Sequence, residues 1–192
     1  MRKMDTILIL DFGSQYAQLI ARRVRELNVF SKIVPYTITA PEILEMNPRG
    51  LIFSGGPMSV YDKNAPFPNK ELFKLNKPIL GICYGMQVIT HMLGGSVEKR
   101  KTREFGRAEL FVDSNKDLFL SLPTNLTCWM SHGDSIQKMP AGFIKIAHTL
   151  NAPIAAFANR TQKIFGVQFH PEVAHTQRGT QVIQNFLSSI CG

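Results

Sequence analysis

The stretch Pro78-Ile79-Leu80-Gly81-Ile82-Cys83-Tyr84-Gly85-Met86-Gln87 decides how this chain is read. Pro78–Ile82 is apolar and predicts a buried strand. Met86, Ile89, Met92 and Leu93 then recur at helical spacing up to Gly94-Gly95, so a helix begins right after Cys83. Gly81 and Gly85 flank the cysteine two residues away on either side. This is the Gly-x-nucleophile-x-Gly elbow, with cysteine where hydrolases carry serine. Each part has a chemical reason. The sharp turn exposes the side chain, and the small flanking residues let the backbone turn tightly. A helix N-terminus behind the thiol favours its anionic form. The backbone N–H of Tyr84 would face a developing oxyanion. A lone cysteine is more often a packing residue, but strand, glycines and helix together reverse that balance. Cys128, beside Trp129 in a strand pattern, and Cys191, at a helix end, lack this context and read as packing or surface residues.

Outward from the elbow, the first half alternates short apolar runs with helical patterns. Thr6–Leu10, Phe30–Pro35 and Gly50–Phe53 predict strands. Ala17, Ile20, Ala21, Val24 and Leu27 mark a helix, Pro41–Met46 a second, and Lys70–Leu75 a third. Beyond Gly95, Val97, Ala108–Val112, Leu126–Met130, Phe143–Thr149 and Ile154–Ala158 predict shorter strands, some in hairpins. Lys163–Phe169 is another strand, and Val182, Ile183, Phe186, Leu187 and Ile190 form a closing amphipathic helix. The expected fold is α/β: an open three-layer α/β/α sandwich with a mostly parallel central sheet and a small antiparallel extension.

Composition narrows the function classes. The 192 residues suit a single domain over 1–192 with a sizeable core. Hydrophobic residues make up 44%, and the formal charge is +8. The longest purely apolar runs, such as Ile7–Leu10, are too short for a membrane span. Met-Arg-Lys-Met-Asp starts basic but lacks the long apolar stretch expected of a secretory signal. Three cysteines without a CxxC pair predict a reducing, cytoplasmic setting.

A cysteine nucleophile needs a histidine, and the histidine an acidic orienter. His91 in a helix and His148 in a strand have no acidic residue near and read as structural, and His175 as a cap or packing residue. His132 lies in Ser131-His132-Gly133-Asp134, with an acid two residues on. His170 lies in Gly166-Val-Gln-Phe-His170-Pro171-Glu172, at a predicted strand end. There, positions i and i+2 point the same way, so Glu172 reaches the His170 ring. A strand end is also a rigid platform, which favours His170 while leaving His132 open.

Gly-Ile-Cys-Tyr-Gly-Met-Gln (81–87) with His-Pro-Glu (170–172) resembles the class I, triad-type glutamine amidotransferases. Asp11-Phe-Gly-Ser-Gln-Tyr16, Phe53-Ser-Gly-Gly-Pro57 and Trp129-Met-Ser-His-Gly-Asp134 extend the resemblance along nearly the whole chain. The resemblance implies a flavodoxin-like fold. It implies that Cys83 attacks the side-chain amide of L-glutamine to form a γ-glutamyl thioester. His170 then serves as base and acid, oriented by Glu172. It implies an oxyanion hole from the backbone of Gly56 and Tyr84. Gln87, Ser131, Gly133 and Asp134 match substrate-holding positions, which makes His132 a substrate-loop residue rather than the base. Together the motifs most resemble bacterial members that pass ammonia to a synthetase part, which binds ATP with magnesium and aminates xanthosine monophosphate. That part's Ser-Gly-Gly-Val-Asp-Ser loop is absent here, and no GxxxxGK[ST] motif occurs. No cofactor or metal is therefore expected in this chain. A chain cut from a longer enzyme is expected; the lesser alternative is a free-standing subunit.

The segment Glu98–Arg107 holds five of the 22 basic residues. It reads as a solvated loop or as a docking surface for the synthetase part; a nucleic-acid patch lacks a motif behind it. Two competing readings are a related cysteine hydrolase of other amides or γ-glutamyl bonds, and an inactive interaction domain. Gln87 with Ser131–Asp134 speaks against the first, and the complete Cys83, His170 and Glu172 set against the second.

Overall fold

The computed structural model describes residues 5–192, apart from the side chains of residues 100–103. Its strands are β1 (Thr6–Asp11), β2 (Phe30–Pro35), β3 (Gly50–Phe53), β4 (Ile79–Ile82), β5 (Ser96–Val112), β6 (Asn125–Lys138), β7 (Ile144–His148), β8 (Ala156–Asn159) and β9 (Ile164–Val167). They form one sheet in the order β2-β1-β3-β4-β9-β8-β7-β5-β6. The first five in that order pair in parallel. The rest of the sheet is antiparallel.

The helices are α1 (Ala17–Glu26), α2 (Ala40–Met46), α3 (Tyr84–Met92) and α4 (Gly179–Asn185). The alternation of β1 shows why they lie on both faces. Ile7 and Ile9 pack with Ile20, Ala21 and Val24 of α1 and with Val182 and Ile183 of α4. Leu8 and Leu10 pack on the opposite face with Ile43 of α2 and with Met86, Val88 and Ile89 of α3. A parallel sheet buried on both faces needs near-continuous apolar strands, and β1, β3, β4 and β9 have them. The three-layer α/β/α arrangement expected from sequence is therefore present. Among the described residues, no helix is long and apolar enough to cross a membrane.

The second half departs from its expectation. Val97 and Ala108–Val112 are parts of one 17-residue strand, β5, whose register slips between Lys99 and Glu104. Its partner β6 does not stop at Met130 but continues through Ser131–Asp134 to Lys138. Ser-His-Gly-Asp has poor strand propensity and reads as a loop. The facing strand β5 supplies ladder partners at Phe105↔Ser131, Glu104↔His132 and Lys99↔Asp134, and tertiary pairing overrides propensity. The basic 98–107 segment is likewise strand rather than loop. Lys70–Lys74 is a single tight 3-10 turn. The last helix widens into a π-type turn at Phe186–Cys191.

The order of the parallel strands has a functional consequence. β2 and β3 lie on opposite sides of β1, so the connections diverge there. Open α/β sheets bind ligands outside the carboxyl ends of their strands near such a switch point. The segments leaving β1, β3, β4 and β9 carry Ser14–Tyr16, Gly55–Pro57, Cys83 and His170.

Candidate active site

Cys83 sits between β4 and α3 with φ 51° and ψ −107°. A non-glycine residue held there is strained, and the surroundings must over-determine it. They do so from both sides. The Cys83 N–H donates to Val167 O of β9 at 2.8 Å, and the Gly85 N–H donates to Ser54 O at 3.1 Å. The flanking glycines are required by space. A Cβ on Gly81 would stand 2.7 Å from backbone atoms of Gly85 and Met86, and one on Gly85 would run into the carbonyl of Phe53.

The structure brings the three expected residues together. His170 follows β9, and its Nδ1 lies 2.7 Å from Glu172 Oε1, with both residues buried. Nδ1 is thereby committed, which leaves Nε2 for the cavity. The imidazole also makes a side-chain contact with Cys83. A Cβ on Gly55 would stand 3.2 Å from His170 Cε1 and 3.8 Å from Cys83 Cβ, which measures how closely they gather. Burial by itself would lower the His170 pKa. The Cys83 sulfur and the Glu172 carboxylate outweigh it and raise the pKa well above the ordinary imidazole range.

The backbone around His170 is clamped. Its N–H donates to Trp129 O at 3.0 Å, and its carbonyl accepts from Thr176 Oγ1 at 2.6 Å. The Tyr16 ring meets the imidazole edge-on at 5.2 Å. Arg23 Nε donates to the Glu172 carbonyl at 2.9 Å. On the same helix, α1, Arg22 and Arg23 also pair with Glu26.

Cys83 and His170 open on a cavity of about 600 Å³. Gly56 and Tyr84 line it beside the sulfur, and Gln87, Ser131, His132, Gly133 and Asp134 form another part of its wall. Lys99 and Phe105 reach it from β5. Gln87 is buried, and its Nε2 donates to Asp134 O at 3.0 Å. The Asp134 carboxylate accepts from Ser59 Oγ at 2.5 Å.

Sequence reasoning missed several of these groups. Gln168 is fully buried, and its Nε2 donates to Cys83 Sγ at 3.7 Å. It precedes His170 by two residues, so the same alternation that selected Glu172 could have selected it. Ser59 and Arg23 are reached only through tertiary contacts and had no local signal. The histidines set aside also need one correction. His148 is not remote from acids: β5–β7 pairing brings its Nδ1 to 2.9 Å from Asp113 on the surface. His91 contacts the Tyr61 and Phe67 rings, and His175 the Trp129 ring, as packing residues would. Cys128 is buried, and burial pushes its thiol up to about 12; Cys191 is also pushed up to about 12. Neither is a ready nucleophile.

A strained cysteine at a strand-to-helix elbow thus stands next to a buried His–Glu couple and a cavity, at the carboxyl edge of an open α/β sheet. The chain belongs to the class-I glutamine amidotransferase family, whose family model matches residues 8–190. It is 52% identical over 188 residues to the glutamine-hydrolysing GMP synthase of Acetivibrio thermocellus, covering 98% of this chain and 37% of that protein. It is 53% identical over 189 residues to the enzyme of the same description from Caldanaerobacter subterraneus subsp. tengcongensis, again 98% against 37%. The chain thus spans just over a third of the length of these relatives. Among solved structures, a protein of Thermoplasma acidophilum described as one subunit of GMP synthase superposes with a TM-score of 0.84 at 35% identity. That match covers 98% of this chain and 94% of the other.

Proposed function

We propose that this chain hydrolyses L-glutamine to glutamate and ammonia at Cys83, and that the ammonia is passed to a synthetase part which aminates xanthosine monophosphate to GMP. The observation that carries the reading is the His170–Glu172 hydrogen bond at 2.7 Å beside the strained Cys83, in a chain whose relatives are named GMP synthase.

In this reading the Cys83 sulfur attacks the side-chain carbonyl carbon of glutamine. Its thiol proton passes to His170 as the bond forms, and the oxygen gains negative charge, which the backbone N–H groups of Gly56 and Tyr84 stabilise. As the carbon–nitrogen bond breaks, the nitrogen takes the proton from His170 and leaves as ammonia, giving a γ-glutamyl thioester. Water then attacks the thioester carbonyl and yields a proton to His170. The carbon–sulfur bond breaks, glutamate leaves, and the sulfur regains its proton. Glu172 takes no proton; it fixes the Nδ1–H tautomer and favours the imidazolium. Gln87, Ser131, Gly133 and Asp134 hold the substrate.

The partner in this reading is the ATP-pyrophosphatase part, which binds ATP with magnesium. It occupies the same chain or a separate one, and the cytoplasm is the compartment where these substrates meet. The glutaminase domain itself needs no cofactor. Two measurements test the reading. Glutamine, but not asparagine, is expected to protect Cys83 from alkylation; absence of protection overturns the glutamine assignment. Adding the synthetase part with ATP and xanthosine monophosphate is expected to raise the glutaminase rate. No stimulation overturns the GMP assignment and leaves a generic amidotransferase.

A further inference from the structure

A second histidine–glutamate couple borders the cavity. Glu104 on β5 stands directly across the ladder from His132 on β6. His132 Nε2 lies 3.3 Å from Glu104 Oε2, and the two side chains are only 4% and 11% exposed. At that separation neither atom has a hydrogen-bond partner among the described residues. The second carboxylate oxygen, Oε1, accepts from Thr149 Oγ1 at 3.3 Å and from Asn151 Nδ2 at 3.4 Å.

Counting protons shows what this geometry requires. His132 Nδ1 lies 2.8 Å from the carbonyl oxygen of Asp134. A carbonyl only accepts, so Nδ1 carries a hydrogen. In the neutral ring, Nε2 would then be a bare lone pair facing a carboxylate oxygen. Two buried acceptors in contact carry an uncompensated desolvation cost. One further proton between Nε2 and Oε2 removes it. Burial by itself raises the Glu104 carboxyl, but the His132 imidazole, with Asn151 and Thr149, outweighs burial and holds it below its ordinary value. A proton held between Nε2 and Oε2 satisfies both atoms.

The couple is tied to the nucleophile. The Asp134 carbonyl that receives His132 also accepts from Gln87 Nε2 at 3.0 Å. Gln87 Nε2 lies 3.4 Å from Gln168 Oε1, and Gln168 Nε2 donates to Cys83 Sγ at 3.7 Å. On the other side of His132, the Ser131 carbonyl lies 3.6 Å from the same sulfur.

We propose that Glu104 and His132 are positioning residues: by sharing one proton they seat the Ser131–Asp134 wall against Cys83 and so set the shape of the glutamine subsite. This rests on the reading of Cys83 as the glutaminase nucleophile. Among the described residues, the other titratable or charged groups around the couple and its cavity are Lys99 on β5, Cys128 and Asp134 on β6, and Tyr16, Asp62, Cys83, Tyr84 and His170 on the remaining walls. Among the described residues none of them bonds to His132 Nε2 or Glu104 Oε2. Without the shared proton the two acceptors repel and the wall loosens. In Glu104→Gln, the new amide N–H donates to the neutral Nε2, so the seat persists without the proton.

The test compares the wild-type chain, Glu104→Gln and Glu104→Ala. Nitrogen-15 NMR of the His132 ring is expected to show both nitrogens protonated at neutral pH in the wild type, and only Nδ1 protonated in Glu104→Gln. The glutamine concentration that half-protects Cys83 from alkylation is expected to rise at alkaline pH in the wild type and to stay flat in Glu104→Gln. Glu104→Ala is expected to raise it about tenfold at neutral pH, as loss of an outer positioning group does. A neutral His132 in the wild type, or identical pH profiles in the wild type and Glu104→Gln, overturns the proposal. Should Glu104→Ala fail to fold, those two comparisons decide it alone. If glutamine never protects Cys83 while His132 still responds to Glu104→Gln, the glutaminase reading fails and the shared proton stands.

Discussion

The molecule buries two histidine–glutamate couples, and they are built in different ways. His170 and Glu172 are two residues apart, at the end of a parallel strand, with a 2.7 Å hydrogen bond. His132 and Glu104 are 28 positions apart in the chain and meet across an antiparallel ladder at 3.3 Å. The first couple turns its free nitrogen to the nucleophile. The second turns Nδ1 to a carbonyl of its own strand and Nε2 to Glu104, leaving neither nitrogen free for the nucleophile. In the proposed reading the same two residue types serve chemistry in one place and placement in the other. What separates them is which atoms the backbone has already occupied.

Substitutions can break that contrast. The largest effect is expected at the nucleophile and its base. Cys83→Ala and His170→Ala should each lower glutamine hydrolysis by at least roughly 10³-fold, since members of such a unit fail together. Acid-quenched samples should then contain no thioester. His132→Ala should still form it; the reverse pattern would exchange the roles of the two couples. Glu172→Gln comes next. It keeps the shape but favours the wrong tautomer, and a loss of up to about 10⁴-fold in kcat is the precedent for that change.

Acid stability gives a smaller effect with a definite sign. Glu104 is held below its ordinary value of 4.5 in the folded protein. Its contribution to stability is therefore complete above that value and is lost as pH falls through the lower folded value. Melting temperatures measured from pH 6 downward should fall less steeply for Glu104→Gln than for the wild type. The smallest effect is expected at the surface pair His148–Asp113, whose side chains are 35% and 29% exposed. His148→Ala should change stability by about 1 kcal/mol or less in chemical denaturation, as exposed ion pairs do.

The contrast also explains what was legible in the sequence. The elbow, the parallel strands and the His170–Glu172 couple depend on residues close in the chain, where periodicity and two-residue alternation carry the signal. Glu104 carries no such mark. It sits in a run that reads as a solvated basic loop, and only the β5–β6 ladder brings it to His132. Ser131–Asp134 is strand for the same reason: its partner, not its propensity, decides. Gln168 lies between these cases. Its position was readable by alternation, but its role became visible only once Cys83 stood behind it at 3.7 Å.

The decisive question is where glutamine is bound covalently. The chain should be mixed with the proposed synthetase part, ATP, xanthosine monophosphate and glutamine, quenched in acid within the first turnovers, and its peptides weighed. A γ-glutamyl adduct confined to the peptide holding Cys83, and absent when asparagine replaces glutamine, is the predicted result. Ammonia release with no adduct on Cys83, or an adduct on Cys128 or Cys191 instead, would contradict it.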